Sequence, residues 1–131
     1  MKYVYPAIFT PEEEGGYSVA FPDVQGCYTQ GEDLAEAMFM AEDALALMLY
    51  ELEDAGKPAP DATPLSEIRA SGNEVVTLVK ADTMEYRKMF NSKAVKKTLT
   101  IPGWLNEQAE KANVNFSKLL QDALMSELHI Q

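Results

Sequence analysis

Tyr17-Ser18-Val19-Ala20-Phe21-Pro22-Asp23-Val24-Gln25-Gly26-Cys27-Tyr28-Thr29-Gln30-Gly31 is the stretch on which the fold turns. Tyr17 to Phe21 alternates and reads as a strand. Pro22-Asp23 ends it, Gly26 permits a tight turn, and Cys27 to Gln30 reads as a further short strand. Upstream, Lys2-Tyr3-Val4-Tyr5-Pro6-Ala7-Ile8-Phe9 is rich in aromatic and β-branched residues, so it too predicts a strand. Thr10 to Gly16 holds Pro11, three glutamates and two glycines free to take positive φ, so the two strands form a hairpin. Pro6 removes a ladder donor, which favours an edge position or a bulge.

Downstream, Gly31 gives way to a helical pattern from Glu32 to Asp54. Leu34, Met38, Ala41, Leu45, Met48, Leu49 and Leu52 recur at spacings of three and four and share one face. Gly56 marks the stop, and Lys57 to Pro64, with three prolines, predicts a stiff, extended loop. Ser66-Glu67-Ile68 adds a short helical turn. Glu74 to Lys80 predicts another strand, apolar on both faces and therefore interior. The order β-β-β-α-β describes a small α+β layer with one helix covering a sheet. Thr83 to Phe90 is helix-compatible. The expected division is a first domain over 1–82, a connecting segment over 83–92 and a second domain over 93–131.

Composition narrows the function classes. The 131 residues carry a net charge of −10 and are 47% hydrophobic, which rules out global disorder. No stretch approaches the roughly 20 apolar residues of a membrane span, and no basic, then apolar leader opens the chain. Cys27 is the single cysteine, excluding an internal disulfide framework and a cysteine-cluster zinc site. The expected setting is cytoplasmic, with no metal and no cofactor. The acidity is unevenly spread. Residues 1–91 hold 6 basic against 17 acidic side chains, a balance of −11, whereas residues 92–131 hold 5 against 4, a balance of +1. Such asymmetry predicts two pieces with different partners.

The last forty residues are the more informative piece. Ala94-Val95-Lys96-Lys97-Thr98-Leu99-Thr100-Ile101 alternates and ends at Pro102, which pre-sets φ for a helix start. Lys96, Thr98 and Thr100 share one face of that strand; Val95, Lys97, Leu99 and Ile101 share the other. Trp104, Leu105, Gln108 and Ala109 fit a first helix. Asn113 suits a left-handed terminus, and Asn115 is a good N-cap for a second helix with an apolar stripe through Leu119, Leu120, Ala123, Leu124 and Leu128. A lone strand before two helices satisfies neither its backbone nor its apolar face. A partner strand from a second copy supplies both and makes a two-stranded ribbon that fits the major groove of B-DNA.

This stretch resembles a ribbon-helix-helix DNA-binding domain. The resemblance implies base-reading positions at Lys96, Thr98 and Thr100 and phosphate contacts from Lys93 and from the helix start at Asn115, Ser117 and Lys118. Val95, Leu99 and Ile101 fall on the dimerisation face. Many members of that class carry Arg or Asn on the ribbon; two of three positions here are Thr, which offers a hydroxyl and a methyl without bidentate geometry.

The run Phe21-Pro22-Asp23, then Gly26, Thr29-Gln30-Gly31 and Glu36-Ala37 is similar to the signature of HicB-type antitoxins, and the likeness covers nearly the whole chain. It implies a partial RNase H-like N-terminal domain that neutralises a HicA-type ribonuclease toxin. It further implies a dimer, or a tetramer, that represses its own operon at operator double-stranded DNA. Glu13, Glu14, Tyr17, Asp23 and Tyr28 are the candidate toxin contacts, and no enzyme activity is expected. The first strand has no Asp or Glu, whereas a metal-dependent nuclease of that fold needs converging carboxylates. Two rival readings stand beside this one: a nuclease using Asp23, Glu32 and Asp33, and a ligand-sensing DNA-binding regulator without a toxin. Plainer roles attach to other residues. Cys27 reads as a small buried hydrophobe, His129 as a surface residue, and Met38, Met40 and Met48 as core filler.

Overall fold

Residues 1–131 are described by a computed structural model. β1 (Lys2–Pro11) and β2 (Tyr17–Ala20) pair antiparallel through a turn in which the Gly15 N–H donates to the Glu12 carbonyl at 3.0 Å. Gly15 and Gly16 sit at φ +97° and +81°, conformations a side chain would strain. β3 (Tyr28–Gly31) pairs antiparallel with β2, and β4 (Val75–Asp82) with β1, giving a four-stranded antiparallel sheet in the order β3-β2-β1-β4. The protein is a mixed α+β chain, as expected.

The sheet corrects one expectation. β4 is an edge strand, not an interior one. Its apolar residues divide between faces: Val79 and Ala81 are buried in the core, while Leu78, on the opposite face, is 50% exposed. A continuous apolar run therefore does not mean burial on both sides in this strand. Pro6 lies in β1, which has neighbours on both sides, yet the β2 register begins at Ile8↔Ala20 and Pro6 is paired only across to Leu78. The missing donor thus falls where the ladder is one-sided.

α1 (Leu34–Asp54) covers one sheet face. Its start is fixed by Asp33, whose carboxylate accepts from the Glu36 N–H at 2.7 Å, while the Glu36 carboxylate accepts from the Glu32 N–H at 3.3 Å. This is the reciprocal logic of a capping box. Ala37, Ala41, Leu45, Ala46 and Leu49 are buried. Leu34, expected on the apolar stripe, is 55% exposed, because it precedes the first turn that reaches the sheet. Gly31 explains the closeness of that approach: a Cβ there would lie 2.3 Å from the Ala37 nitrogen.

After α1, Gly56 takes φ +69° and the proline-rich segment runs on to a 3-10 turn at Leu65–Glu67. α2 (Thr83–Phe90) is capped by Asp82 and packs on α1, where Tyr50 and Tyr86 place their rings 5.1 Å apart. The Arg87 guanidinium lies 4.5 Å from the Tyr50 ring centroid and pairs with Glu53 at 3.0 Å and Asp54 at 2.7 Å.

By packing, the chain divides into Met1–Lys93 and Ala94–Gln131. In the second unit, α3 (Gly103–Lys111) starts after Pro102 and α4 (Phe116–Glu127) after Asn115. Asn113 between them takes φ 55°. The strand expected over Ala94–Ile101 is absent from the single chain, because a strand is defined by a ladder and this segment has no partner. No helix is long and apolar enough to cross a membrane.

Candidate functional site

Two hollows mark the first unit. One, of about 670 Å³, lies between the hairpin tip and the start of α1 and is lined by Glu12, Glu14, Tyr17, Ser18, Glu32 and Glu36 among others. Ser18 Oγ donates to Glu12 Oε1 at 2.6 Å. The arrangement sets four carboxylates around a rim with the Tyr17 ring and Met40 beside them, a surface suited to cationic side chains with apolar stems. The other hollow, of about 680 Å³, is mostly apolar. It is lined by Met48, Leu52, Val24, Pro58 and Ala59, with Asp23 and Asp61 at its margin.

Five residues named from sequence as toxin contacts are spread over this unit rather than gathered. Glu14 and Tyr17 line the first hollow, and Glu13 is exposed at the tip beside them. Tyr28 is 72% exposed on the other edge strand, β3, facing away from α1. Asp23 is elsewhere. Its two oxygens accept from the backbone N–H of Thr63, at 2.9 Å, and from the Thr63 hydroxyl. The partner of Asp23 thus lies forty positions along the chain, outside the turn that Pro22 and Gly26 mark. With both oxygens taken, Asp23 shapes the surface by holding the 57–64 segment, which the Tyr5 hydroxyl also grips by donating to the Pro60 carbonyl.

Two of the three carboxylates named for a nuclease are committed in the same way, while Glu32 lines the first hollow. Asp33 caps α1 and Asp23 holds Thr63. No group of three or more His, Cys, Asp or Glu side chains is placed to hold a metal ion. Cys27 is 1% exposed, and burial pushes its thiol up to about 11, the environment of an inert core thiol.

Sequence reasoning missed a polar junction at the far end of α1. Glu53 accepts from Tyr3 Oη at 2.6 Å, from the fully buried Thr83 hydroxyl at 2.9 Å and from Arg87 at 3.0 Å. Burial works to raise the Glu53 carboxyl, but those three donors outweigh it and hold the group below the ordinary carboxylate range. Hydrogen bonding to Glu53, with burial, lifts the Tyr3 phenol to about 12. No periodic signal joins residues 3, 53, 83 and 87, so nothing in the sequence marks this junction.

In the second unit, Lys96, Thr98 and Thr100 lie in an exposed segment that is neither helix nor strand, with Lys93 just before it. Val95, Leu99 and Ile101 alternate with them and are 87%, 56% and 43% exposed. No residue from 94 to 131 is buried. Asn115 caps α4 by accepting from the Lys118 N–H at 3.1 Å, leaving Ser117 and Lys118 in a first turn whose free N–H groups suit an anion. The Lys118 ammonium reaches Asp122 at 3.0 Å in an exposed pair, which binds it weakly.

Residues 5–124 match the family described as HicB-like antitoxin of bacterial toxin-antitoxin systems. Over 41 residues, 31% of this chain, the sequence is 56% identical to antitoxin HicB of Escherichia coli K12, a match that takes in 30% of that relative's length. In three dimensions the chain is similar to one from a toxin-antitoxin complex of Streptococcus pneumoniae, with TM-score 0.63 and 26% identity over 97% of this chain and 99% of that one. Antitoxin HicB of Burkholderia pseudomallei shares the fold at TM-score 0.56 and 19% identity, over 96% and 98% of the two chains.

Proposed function

The chain belongs to the HicB-like antitoxin family of bacterial toxin-antitoxin systems, and from that footing we propose that it neutralises a HicA-type ribonuclease toxin with its first unit and represses its own operon with its second. On this reading the first unit is a partial RNase H-like domain without nuclease chemistry, and the second is a ribbon-helix-helix domain.

One observation carries the reading of the second unit: thirty-eight residues, Ala94–Gln131, with no buried side chain. Such a unit cannot hold two helices against chain entropy alone. A second copy supplies what is lacking. Two extended segments pair, Val95, Leu99 and Ile101 gain a buried face with the apolar sides of α3 and α4, and Lys96, Thr98 and Thr100 remain outward on a two-stranded ribbon. In the major groove, threonine methyls meet thymine methyls and Lys96 reaches guanine acceptors. Lys93, Asn115, Ser117 and Lys118 take the phosphates, which set register rather than sequence.

For the first unit, the acidic rim at the hairpin and α1 is the proposed meeting place with a cationic toxin, through Glu13, Glu14 and Tyr17, with Tyr28 as an outlying contact. Opposed charge speeds encounter and rejects wrong partners, while affinity comes from what is buried. Covering the toxin's catalytic face excludes its RNA substrate.

The test is paired. Lys96→Ala with Thr98→Ala should abolish the operator gel shift while light scattering still reports assembly. Unchanged DNA binding would move the interface elsewhere. Mixed with the HicA-type product of the adjacent reading frame, the full chain should stop RNA cleavage, and failure to co-purify with it would sink the toxin half.

A further inference from the structure

β4 is the longer of the two edge strands, eight residues against four in β3. β1 is its sole strand neighbour, and no strand pairs with its other edge. Edge strands are ordinarily blunted by shortness, proline, a bulge or charged side chains, and of these β4 carries only the charges of Lys80 and Asp82. β4 has no proline, and its register with β1 runs without a break from Asp82↔Lys2 to Val75↔Phe9. Val75 is 56% and Leu78 50% exposed.

We propose that β4 pairs antiparallel with β4 of a second copy, with Thr77 on the two-fold axis, so that two sheets join into one of eight strands. A two-fold axis perpendicular to the sheet keeps α1 of both copies on one face and pairs only residues that point the same way. With Thr77 on the axis, Val76 lies opposite Leu78, Val75 opposite Val79, and Glu74 opposite Lys80 at both ends. Opposite charges and β-branched pairs directly across a ladder are favourable.

Neighbouring registers lose this match. With Leu78 on the axis, Glu74 faces Asp82; with Val76 on the axis, Glu74 faces Leu78 and Lys80 faces Gly72. The charges are available for such a pairing. Lys80 enters none of the chain's ion pairs, and Glu74 uses only Oε1, accepting from the Ser71 N–H at 2.8 Å. The match of Glu74 to Lys80 therefore selects one partner, another β4, rather than any passing strand. This inference rests on β4 alone and is independent of how the second unit assembles.

Disulfide trapping in the full chain tests it. Thr77→Cys, mildly oxidised, should give a covalent dimer on a non-reducing gel, whereas Tyr28→Cys on the opposite edge should not. Cys27, 1% exposed with its thiol at about 11, stays out of the reaction. Adding Lys80→Glu sets Glu74 against a glutamate and should slow trapping at least tenfold; adding Glu74→Lys as well should restore it. Residues 74 and 80 of one copy are roughly 20 Å apart along the strand, so that rescue cannot arise within a chain. If Thr77→Cys does not fold, mixing Val76→Cys with Leu78→Cys chains should give a mixed disulfide in excess of either alone. No trapping in a folded variant, or trapping indifferent to Lys80→Glu, overturns the proposal.

Discussion

Asp23 holds Thr63 with both carboxylate oxygens, one on the backbone N–H at 2.9 Å and one on the hydroxyl, tying the turn after β2 to the segment after α1. A charged acceptor on two partly buried donors is worth more than a neutral bond, and its removal leaves the Thr63 N–H without a partner. Asp23→Ala should destabilise the first unit by about 1–3 kcal/mol, several degrees in Tm for a domain this size. Asp23→Asn keeps one acceptor and should lose less. Thermal unfolding followed by circular dichroism orders the three proteins, and equal Tm values would show the clasp to be idle.

Gly31 predicts a steric failure. A methyl there would sit 2.3 Å from the Ala37 nitrogen and 2.6 Å from its Cα, and backbone cannot rotate aside as a side chain can. Gly31→Ala should cost at least the roughly 1–3 kcal/mol of an overpacked core. Gly103→Ala makes the control: nothing lies within 4 Å of that Cβ, and alanine at a helix start should be neutral or gain about 0.5 kcal/mol. Denaturant titration of both variants separates close packing from glycine's general flexibility.

Glu53 and Tyr3 predict opposite pH limits. Glu53 is held below its ordinary value, so its contribution is present above the unfolded-state carboxylate range, about pH 4.3, and fades as pH falls through the lower folded value. Tyr3 is raised to about 12; its contribution is full below about pH 10, the unfolded phenol value, and is lost between there and pH 12. Denaturation midpoints measured across pH should fall at both ends. Glu53→Gln should flatten the acid limb, and Tyr3→Phe the alkaline one.

Much of the fold was legible because burial on one face leaves a period. The hairpin, the short strand at Tyr28, the run of Ala41, Leu45 and Leu49, the Gly56 stop and the Asn115 cap all carry local signals. What stayed hidden joins distant positions. Val75 to Lys80 looked interior because apolar residues on both faces read alike whether the far face is covered by the same chain or left open. Asp23 looked like a turn residue because its neighbours are Pro22 and Gly26, while its partner is Thr63. The candidate contacts Glu14 and Asp23 share a charge but not a surface, and composition cannot tell surfaces apart.

The proposed DNA binding by the second unit predicts a measurable salt slope. Each lysine that neutralises a phosphate releases counterions, so log K falls with log salt by about 0.9 per contact. Lys93→Ala and Lys118→Ala should each reduce that slope by about one and weaken all sequences alike. Lys96→Ala should instead erode the preference for operator over random DNA. Fluorescence anisotropy at several salt concentrations reads both, and a slope untouched by Lys93→Ala removes that residue from the interface.

Trp104 is the single tryptophan and lies in α3, 68% exposed in one chain, so its fluorescence reports the second unit. If that unit folds only on pairing, its stability is bound to protein concentration, each tenfold dilution removing about 1.4 kcal/mol from the dimer. The Trp104 transition should therefore move to lower temperature on dilution, and further than that of the Asp23–Thr63 unit, which has its own buried core and takes only the β4 pairing from a second copy. Leu99→Asp places a charge where the ribbon must close and should abolish the concentration dependence together with the operator shift, leaving the first unit's transition in place. A Trp104 transition that ignores dilution would mean the thirty-eight residues fold alone, and the ribbon would lose its physical reason.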